Sequence, residues 1–316
     1  MARVSVVVPL YNKGPFIRRA LDSIAAQSFQ DFEAIVVDDG STDGGERLAA
    51  AYPNSRFRVA GQPNRGPGAA RNRGIAEAQG DLIAFLDADD EWLPDYLEQA
   101  VSFLENAGPQ IASVTCSYIE FPRGVSTRGM WLARGVQEGV HRVHRECSPE
   151  LLMYMLAFMH PCTTVVRAEV IRKWGGFYEG NRCLYAEDAF LWLKVLLNES
   201  VGFTLEPHVR IHVEAASLSK NLRRARPLEP FLERPEEIES ACPEDLRGLL
   251  GRLLTTRAFK TACVWGVWGQ WRAARELRRR FRRPQDSQLP YYWPSLACAT
   301  PLGAALGVVW RKLGGL

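Results

Sequence analysis

Four short apolar runs, Val4–Val8, Ala34–Val37, Phe57–Ala60 and Leu82–Leu86, alternate with helix-period segments over the first hundred residues, and this alternation limits the possible folds more than any other feature. Apolar runs of strand length, rich in β-branched residues and separated by helices, mark an α/β sheet whose strands are mainly parallel and buried on both faces. The first intervening helix is announced by Pro15 near its start, with Phe16, Ile17, Ala20, Leu21 and Ile24 on one side. A second is expected from Thr42 or Asp43, a third near Pro67 or Gly68, and a fourth from about Pro94 to Asn106. From Ile111 the pattern is mixed: a strand at Ile111–Phe121, a helix around Glu150–Phe158, a strand near Thr163–Arg167 and a helix from about Asp188 to Leu197.

In open sheets of this kind ligands bind beyond the carboxyl ends of the strands. The residues found there are polar and specific: Pro9-Leu10-Tyr11-Asn12 after the first strand, Asp38-Asp39-Gly40-Ser41-Thr42-Asp43 after the second, and Asp87-Ala88-Asp89-Asp90 after the fourth. Three aspartates within four residues repel one another unless a cation compensates them. Carboxylates so spaced suit Mg2+ or Mn2+, which bind through one or two carboxylates and complete their shell with phosphate and water. Taken alone, the same turn reads equally well as a solvated cap for the helix that follows.

With 316 residues, 47% hydrophobic and 24% charged, the chain can bury a full core and is neither a disordered nor a multi-span membrane protein. A net charge of +3 gives no reason to expect nucleic acid. The seven cysteines are scattered and never spaced as CxxC, so the expectation is reduced thiols rather than a disulfide framework or a zinc site. Met1 runs almost directly into the first strand with no signal-peptide pattern, and a cytoplasmic location is expected. A nicotinamide-dependent dehydrogenase would need a GxGxxG turn, where this chain has Tyr11-Asn12-Lys13-Gly14.

Residues 3 to about 220 resemble the family 2 glycosyltransferases of the GT-A fold. The motifs that carry the resemblance occur in order: Val4 to Asn12, Ser28-Phe29 with Phe32-Glu33, Asp38 to Asp43, Asn64-Arg65-Gly66, Ala70-Arg71-Asn72-Arg73-Gly74, Leu86 to Asp90, Gly175-Gly176-Phe177 and Glu187-Asp188. The resemblance implies a GT-A domain over 1–222, with a donor half at about 1–110 and an acceptor half at about 111–222. It implies an inverting, non-processive transfer of one sugar from a nucleotide-diphosphate donor, a UDP-sugar first, to a hydroxyl of a glycan, lipid-linked or other cell-surface acceptor. Pro9, Tyr11, Asp39, Arg71, Asp87 and Asp89 fall at donor positions, with Tyr11 beside the base, Asp39 accepting from it, Arg71 facing phosphate and Asp87 near the ribose. Asp89 falls at the metal position, Mn2+ or Mg2+, with His212 of Arg210-Ile211-His212 as a further ligand. Asp188 stands where the family keeps the base that deprotonates the acceptor, and Glu187 and His160 are placed on the acceptor side. Where relatives often carry Pro-Gly before a closing serine, this chain has Glu214-Ala215-Ala216-Ser217. A sugar nucleotidyltransferase and a degenerate nucleotide-sugar-binding module remain the alternatives.

Prolines at 227, 230, 235 and 243 mark a change of composition, and 223–316 is expected to be a helical, basic extension. Between Arg247 and Arg283 there are eleven Arg or Lys against the single acid Glu276. Trp265, Trp268 and Trp271 recur at threefold spacing, which suits either an anionic membrane surface or a helical pair packed on its own tryptophans.

Overall fold

The computed structural model describes residues 2–214 and 225–312. Ten strands form one sheet: β1 (Val4–Leu10), β2 (Phe32–Asp38), β3 (Phe57–Gly61), β4 (Leu82–Phe85), β5 (Glu91–Trp92), β6 (Ile111–Phe121), β7 (Val125–Ser126), β8 (Gly139–His141), β9 (Thr164–Arg167) and β10 (Ser200–His212). Their order is β3-β2-β1-β4-β9-β6-β10-β5, with β7 beside β6 and β8 beside β10. The first four strands are mutually parallel, as their helix-separated spacing requires. The second half is mixed, because β9 enters antiparallel between β4 and β6 while β10 runs parallel to β6.

Eight helices belong to this region: α1 (Gly14–Ala25), α2 (Gly45–Ala50), α3 (Pro67–Glu77), α4 (Tyr96–Ala107), α5 (Arg128–Ala133), α6 (Pro149–Phe158), α7 (Ala168–Lys173) and α8 (Glu187–Asn198). One core runs through the sheet, with Val4, Val6, Val8, Ala34, Val36, Leu82 and Ala84 facing Ile17, Leu21, Ile24, Leu97 and Val101. The parallel register pairs Leu10 with Asp38 and Asp38 with Gly61, so the strand ends that carry the polar motifs finish along one edge. Strand β10 was missed in the sequence because Glu206-Pro207 breaks its alternation, and its pairing with β6 shifts register at that point.

The chain divides into two compact units, Met1–Val143 with Tyr154–Ser217, and His144–Met153 with Leu218–Leu316. The segment 144–153 thus groups with the C-terminal unit, which the composition gave no reason to expect. The boundary expected at 222, and Ala215 to Ser217 of the closing loop, lie outside the described residues. The second unit holds α9 (Pro230–Glu233), α10 (Pro235–Ala241), α11 (Arg247–Val267), α12 (Trp271–Phe281), α13 (Tyr292–Cys298) and α14 (Pro301–Lys312). Trp265 packs against Ala262, Ala274 and Ala299 and donates from Nε1 to the Arg226 carbonyl at 3.0 Å. Trp268 and Trp271 are half-buried. Trp265 thus serves helix packing, and among the described residues of this unit Trp293 is an exposed tryptophan. All seven cysteines are free.

Helix α3 lies close on the sheet at Gly74, where an added Cβ would lie 2.2 Å from Val7 Cγ1 of β1. Gly74→Val should destabilise the protein by about 2 kcal/mol, the usual scale for overpacking a tight interface. The check is the urea midpoint, and an unchanged midpoint would mean that the contact is loose.

Candidate active site

The loops after β1 and β2 are laced together by short polar side chains. Asn12, at φ 51°, accepts at Oδ1 from the Thr42 amide at 2.8 Å, and its own amide donates to Ser41 Oγ at 3.1 Å. Asp43 accepts from the Gly14 amide at 2.7 Å and the Gly45 amide at 3.0 Å, holding the starts of α1 and α2 together. Asp38 is a turn former, taking the Ser41 amide on its carboxylate at 3.2 Å. Asp39 is buried and receives three donors at 2.8 Å each: Gln62 Nε2 and the Arg65 amide on Oδ1, and the Gly66 amide on Oδ2. This carboxylate thereby shapes the 62–66 loop while lying at the strand edge beside Pro9 and Tyr11. Tyr11 is 48% exposed, so an aromatic face is open at that edge.

The acidic turn after β4 is balanced by two basic residues from α1 and its approach. Lys13 Nζ lies 2.5 Å from Asp89 Oδ2, and Arg19 Nη2 donates to the Asp89 carbonyl at 2.5 Å. Asp90 points the other way, accepting the His212 amide at 2.9 Å and so fastening the end of β10 to the turn. Burial, then the charge of Asp87, raises the Asp89 carboxyl above its ordinary range, and Lys13 only partly offsets this. Asp90 is pushed up further, by burial and then by Asp87 and Asp89.

Arg71 joins the acidic turn to the start of α8. Its side chain is only 5% exposed and bridges Asp87 Oδ1 at 2.7 Å through Nη2 and Glu187 Oε1 at 2.8 Å through Nη1. The guanidinium also lies over the Phe177 ring, 5.3 Å from its centroid. Burial alone would lower its pKa, but Asp87 and Glu187 outweigh that and leave Arg71 more firmly protonated. The neighbouring Asn72 grips Phe177 by its backbone, donating to the carbonyl and accepting from the amide, both at 2.8 Å. Gly176 sits against this clamp at φ +73°, where a Cβ would come within 2.3 Å of Asn72 Oδ1.

Asp188 accepts the Ala189 amide at 2.9 Å. Burial raises its carboxyl, with Arg71 opposing. Glu187 is raised by burial and by Asp188, again against the pull of Arg71. A carboxyl held above its usual range is a stronger base once ionised, which suits proton abstraction. His160 lies near the same group: burial lowers its pKa, while the fields of Asp87 and Arg71 reach it with opposite signs. Its ring meets Tyr118 edge-on at 5.5 Å.

The structure thus gathers Asp87, Asp89, Arg71, Glu187, Asp188 and His160 in one region and puts Arg71 on two carboxylates. His212 is buried near the acidic turn, but its ring nitrogens face Glu214 at 3.1 Å and Glu91 at 3.3 Å. Among the described residues no three His, Cys, Asp or Glu side chains form a metal cage. The site still fits a hard divalent cation that takes one carboxylate from Asp89 and the rest of its shell from phosphate and water, because the turn carries more negative charge than Lys13 relieves. Lys13, Arg19 and Asn72 were missed as site residues. Lys13 and Asn72 stood inside motifs already noted, and Arg19 carried no signal beyond its place on α1.

Residues 5–175, more than half of the chain, match the family model for glycosyl transferase family 2. The succinoglycan biosynthesis protein ExoW of Rhizobium meliloti is 46% identical over 106 residues, covering 32% of this chain and 33% of ExoW. The curated relatives that this chain matches are covered over 17% to 64% of their own length. The structure of S. aureus TarS 1–349 in complex with UDP-GlcNAc superposes with TM-score 0.75 at 20% identity, over 99% of this chain and 92% of that one. The mannosyltransferase PcManGT from Pyrobaculum calidifontis, in complex with GDP-Man and Mn2+, gives TM-score 0.51 at 24% identity, over 98% and 88%. The fold is GT-A.

Asp90 allows a test of the electrostatics. Asp90→Asn keeps an acceptor for the His212 amide and removes the repulsion from Asp87 and Asp89. Because the folded-state carboxyl is raised, its charge weakens the native state above the ordinary carboxylate range and costs nothing below it. Without divalent metal, the variant should melt higher than wild type at neutral pH. The difference should disappear as the pH falls below the ordinary carboxylate range, and a difference independent of pH would contradict this account.

Proposed function

The chain belongs to glycosyl transferase family 2, and from that premise we propose that it is an inverting, non-processive glycosyltransferase using a nucleotide-diphosphate sugar, a UDP-sugar first. The observation that carries this reading is the Arg71 bridge, which ties a donor-side carboxylate, Asp87, to the helix start that bears Asp188. Donor and base then share one rigid frame, and reacting groups gain from being held in register.

In the proposed reaction the base of the nucleotide lies on Tyr11 near Pro9, and Asp39 accepts from its ring N–H. Asp87 faces the ribose. Arg71, with both η-nitrogens engaged, positions Asp87 and Glu187 rather than holding phosphate itself. Asp188 takes the proton of the acceptor hydroxyl, whose oxygen attacks the anomeric carbon from the face opposite the nucleotide. The bond to the diphosphate oxygen breaks with its electron pair, and the configuration inverts. A divalent cation held by Asp89 would supply positive charge to the departing diphosphate. The Mn2+ in PcManGT and the UDP-GlcNAc in TarS support this choice of cofactor and donor. The name of ExoW, a succinoglycan biosynthesis protein, supports a glycan acceptor.

Asp188→Asn should reduce transfer by about 10²–10⁴-fold, the usual contribution of a general base, while donor affinity in calorimetry is kept. Full transfer by this variant would remove Asp188 from the role. Asp89→Ala should abolish the part of donor binding that depends on manganese, and an unchanged metal dependence would place the cation elsewhere. In a thermal-shift panel with manganese, UDP-sugars should stabilise the protein more than GDP- or dTDP-sugars, and the reverse order would reassign the nucleotide.

A further inference from the structure

The C-terminal unit leaves a set of large apolar side chains uncovered on consecutive helices. Trp293 and Leu296 on α13 and Leu302, Leu306 and Val309 on α14 are exposed, Trp293 to 67%, Leu302 to 72% and Leu306 to 64%, and Tyr291 is exposed just before α13. Water-facing tryptophan and leucine in such density mark a surface that something else covers. The glycines on these helices show that the inner side is packed: a Cβ at Gly307 would meet the Val267 backbone at 2.9 Å, and one at Gly303 the Ala297 carbonyl at 2.0 Å. The exposed side chains are therefore the outer face of a folded hairpin.

The helix beside this face is strongly basic. α12 buries Ala274 and Leu277 and exposes Arg272, Arg275, Arg279 and Arg280, followed by Arg282. Arg278 joins the two elements, donating from Nη1 to the Tyr292 carbonyl at 2.8 Å and to Ser295 Oγ at 2.5 Å. On the apolar side Lys260 stands over the Tyr291 ring, 5.9 Å from its centroid. No acidic residue follows Asp286 in the sequence. An apolar face rimmed by tyrosine and tryptophan and flanked by arginines complements a surface that is oily within and anionic at its boundary.

No single described helix is long and apolar enough to cross a membrane, and α13 and α14 meet at 95°. The 12 residues of α14 extend about 18 Å, against about 30 Å for a hydrocarbon core. We infer that the α13–α14 hairpin docks in the plane of an anionic phospholipid bilayer, with Trp293, Leu302 and Leu306 in the acyl boundary and the α12 arginines on the headgroups. Trp265, packed against Ala262, Ala274 and Ala299, is not part of this surface.

The test is flotation of the full chain with phosphatidylcholine vesicles, with and without phosphatidylglycerol. Wild type should float with the anionic vesicles at low salt, much less with the neutral ones, and lose binding as salt is added. Arg272→Gln/Arg275→Gln/Arg279→Gln should weaken binding on the order of a hundredfold. Trp293→Ser/Leu302→Ser/Leu306→Ser should abolish it while leaving the melting temperature within a few degrees, since these side chains are exposed. Absence of wild-type flotation at low salt, equal flotation with neutral vesicles, or retained flotation by the apolar variant would each overturn the inference. A wild-type dimer that becomes monomeric in the apolar variant, with no vesicle binding, would overturn it in favour of a second copy of the chain.

Discussion

Arg71 is the residue on which the rest of the site depends. It brings a permanent positive charge between two carboxylates, the half-buried Asp87 and the buried Glu187, that would otherwise stand uncompensated. Removing one partner of a buried ion pair generally costs about 3–5 kcal/mol, because the remaining charges are stranded. A lysine could not replace it, since one ammonium cannot span two carboxylates as a planar fork does. The guanidinium is itself supported by the Phe177 ring, and Phe177 is held by Asn72 from the same helix. The second half of the sheet domain is thus locked to the first by two consecutive residues of α3.

The acidic turn follows the same logic on its other side. Asp89 is paired with Lys13, Asp90 with the backbone of β10, and Asp87 with Arg71, so three adjacent carboxyls answer to three different parts of the chain. Burial first, and then the repulsion of their neighbours, raises the carboxyls of Asp89 and Asp90 above their ordinary range. Three adjacent carboxyls favour any further cation, although among the described residues no three His, Cys, Asp or Glu side chains form a metal cage.

Much of the architecture was legible because it follows from local pattern. The strand at Ile111–Phe121 was placed to the residue, and α3 begins at Pro67 as its proline predicts. Asp38 caps its own loop by taking the Ser41 amide on its carboxylate, a common turn-forming use of a short acidic side chain. Strand β10 was not legible, because its length and bulges are set by pairing with β6 rather than by its own alternation. The assignment of 144–153 to the C-terminal unit was equally hidden, since no local pattern records which body a short segment joins.

By itself the sequence determined the parallel first half of the sheet, the edge on which the polar motifs gather and the chemical type of every group placed there. These follow from periodicity and from residues fixed within one loop. Only the tertiary structure decided that Arg71 spans two carboxylates, that His212 turns its nitrogens to Glu91 and Glu214, and that Trp265 packs while Trp293 stays exposed. Each of those outcomes depends on side chains far apart in the chain meeting in space, and a charge or an aromatic ring carries no mark in the sequence of the partner it will meet.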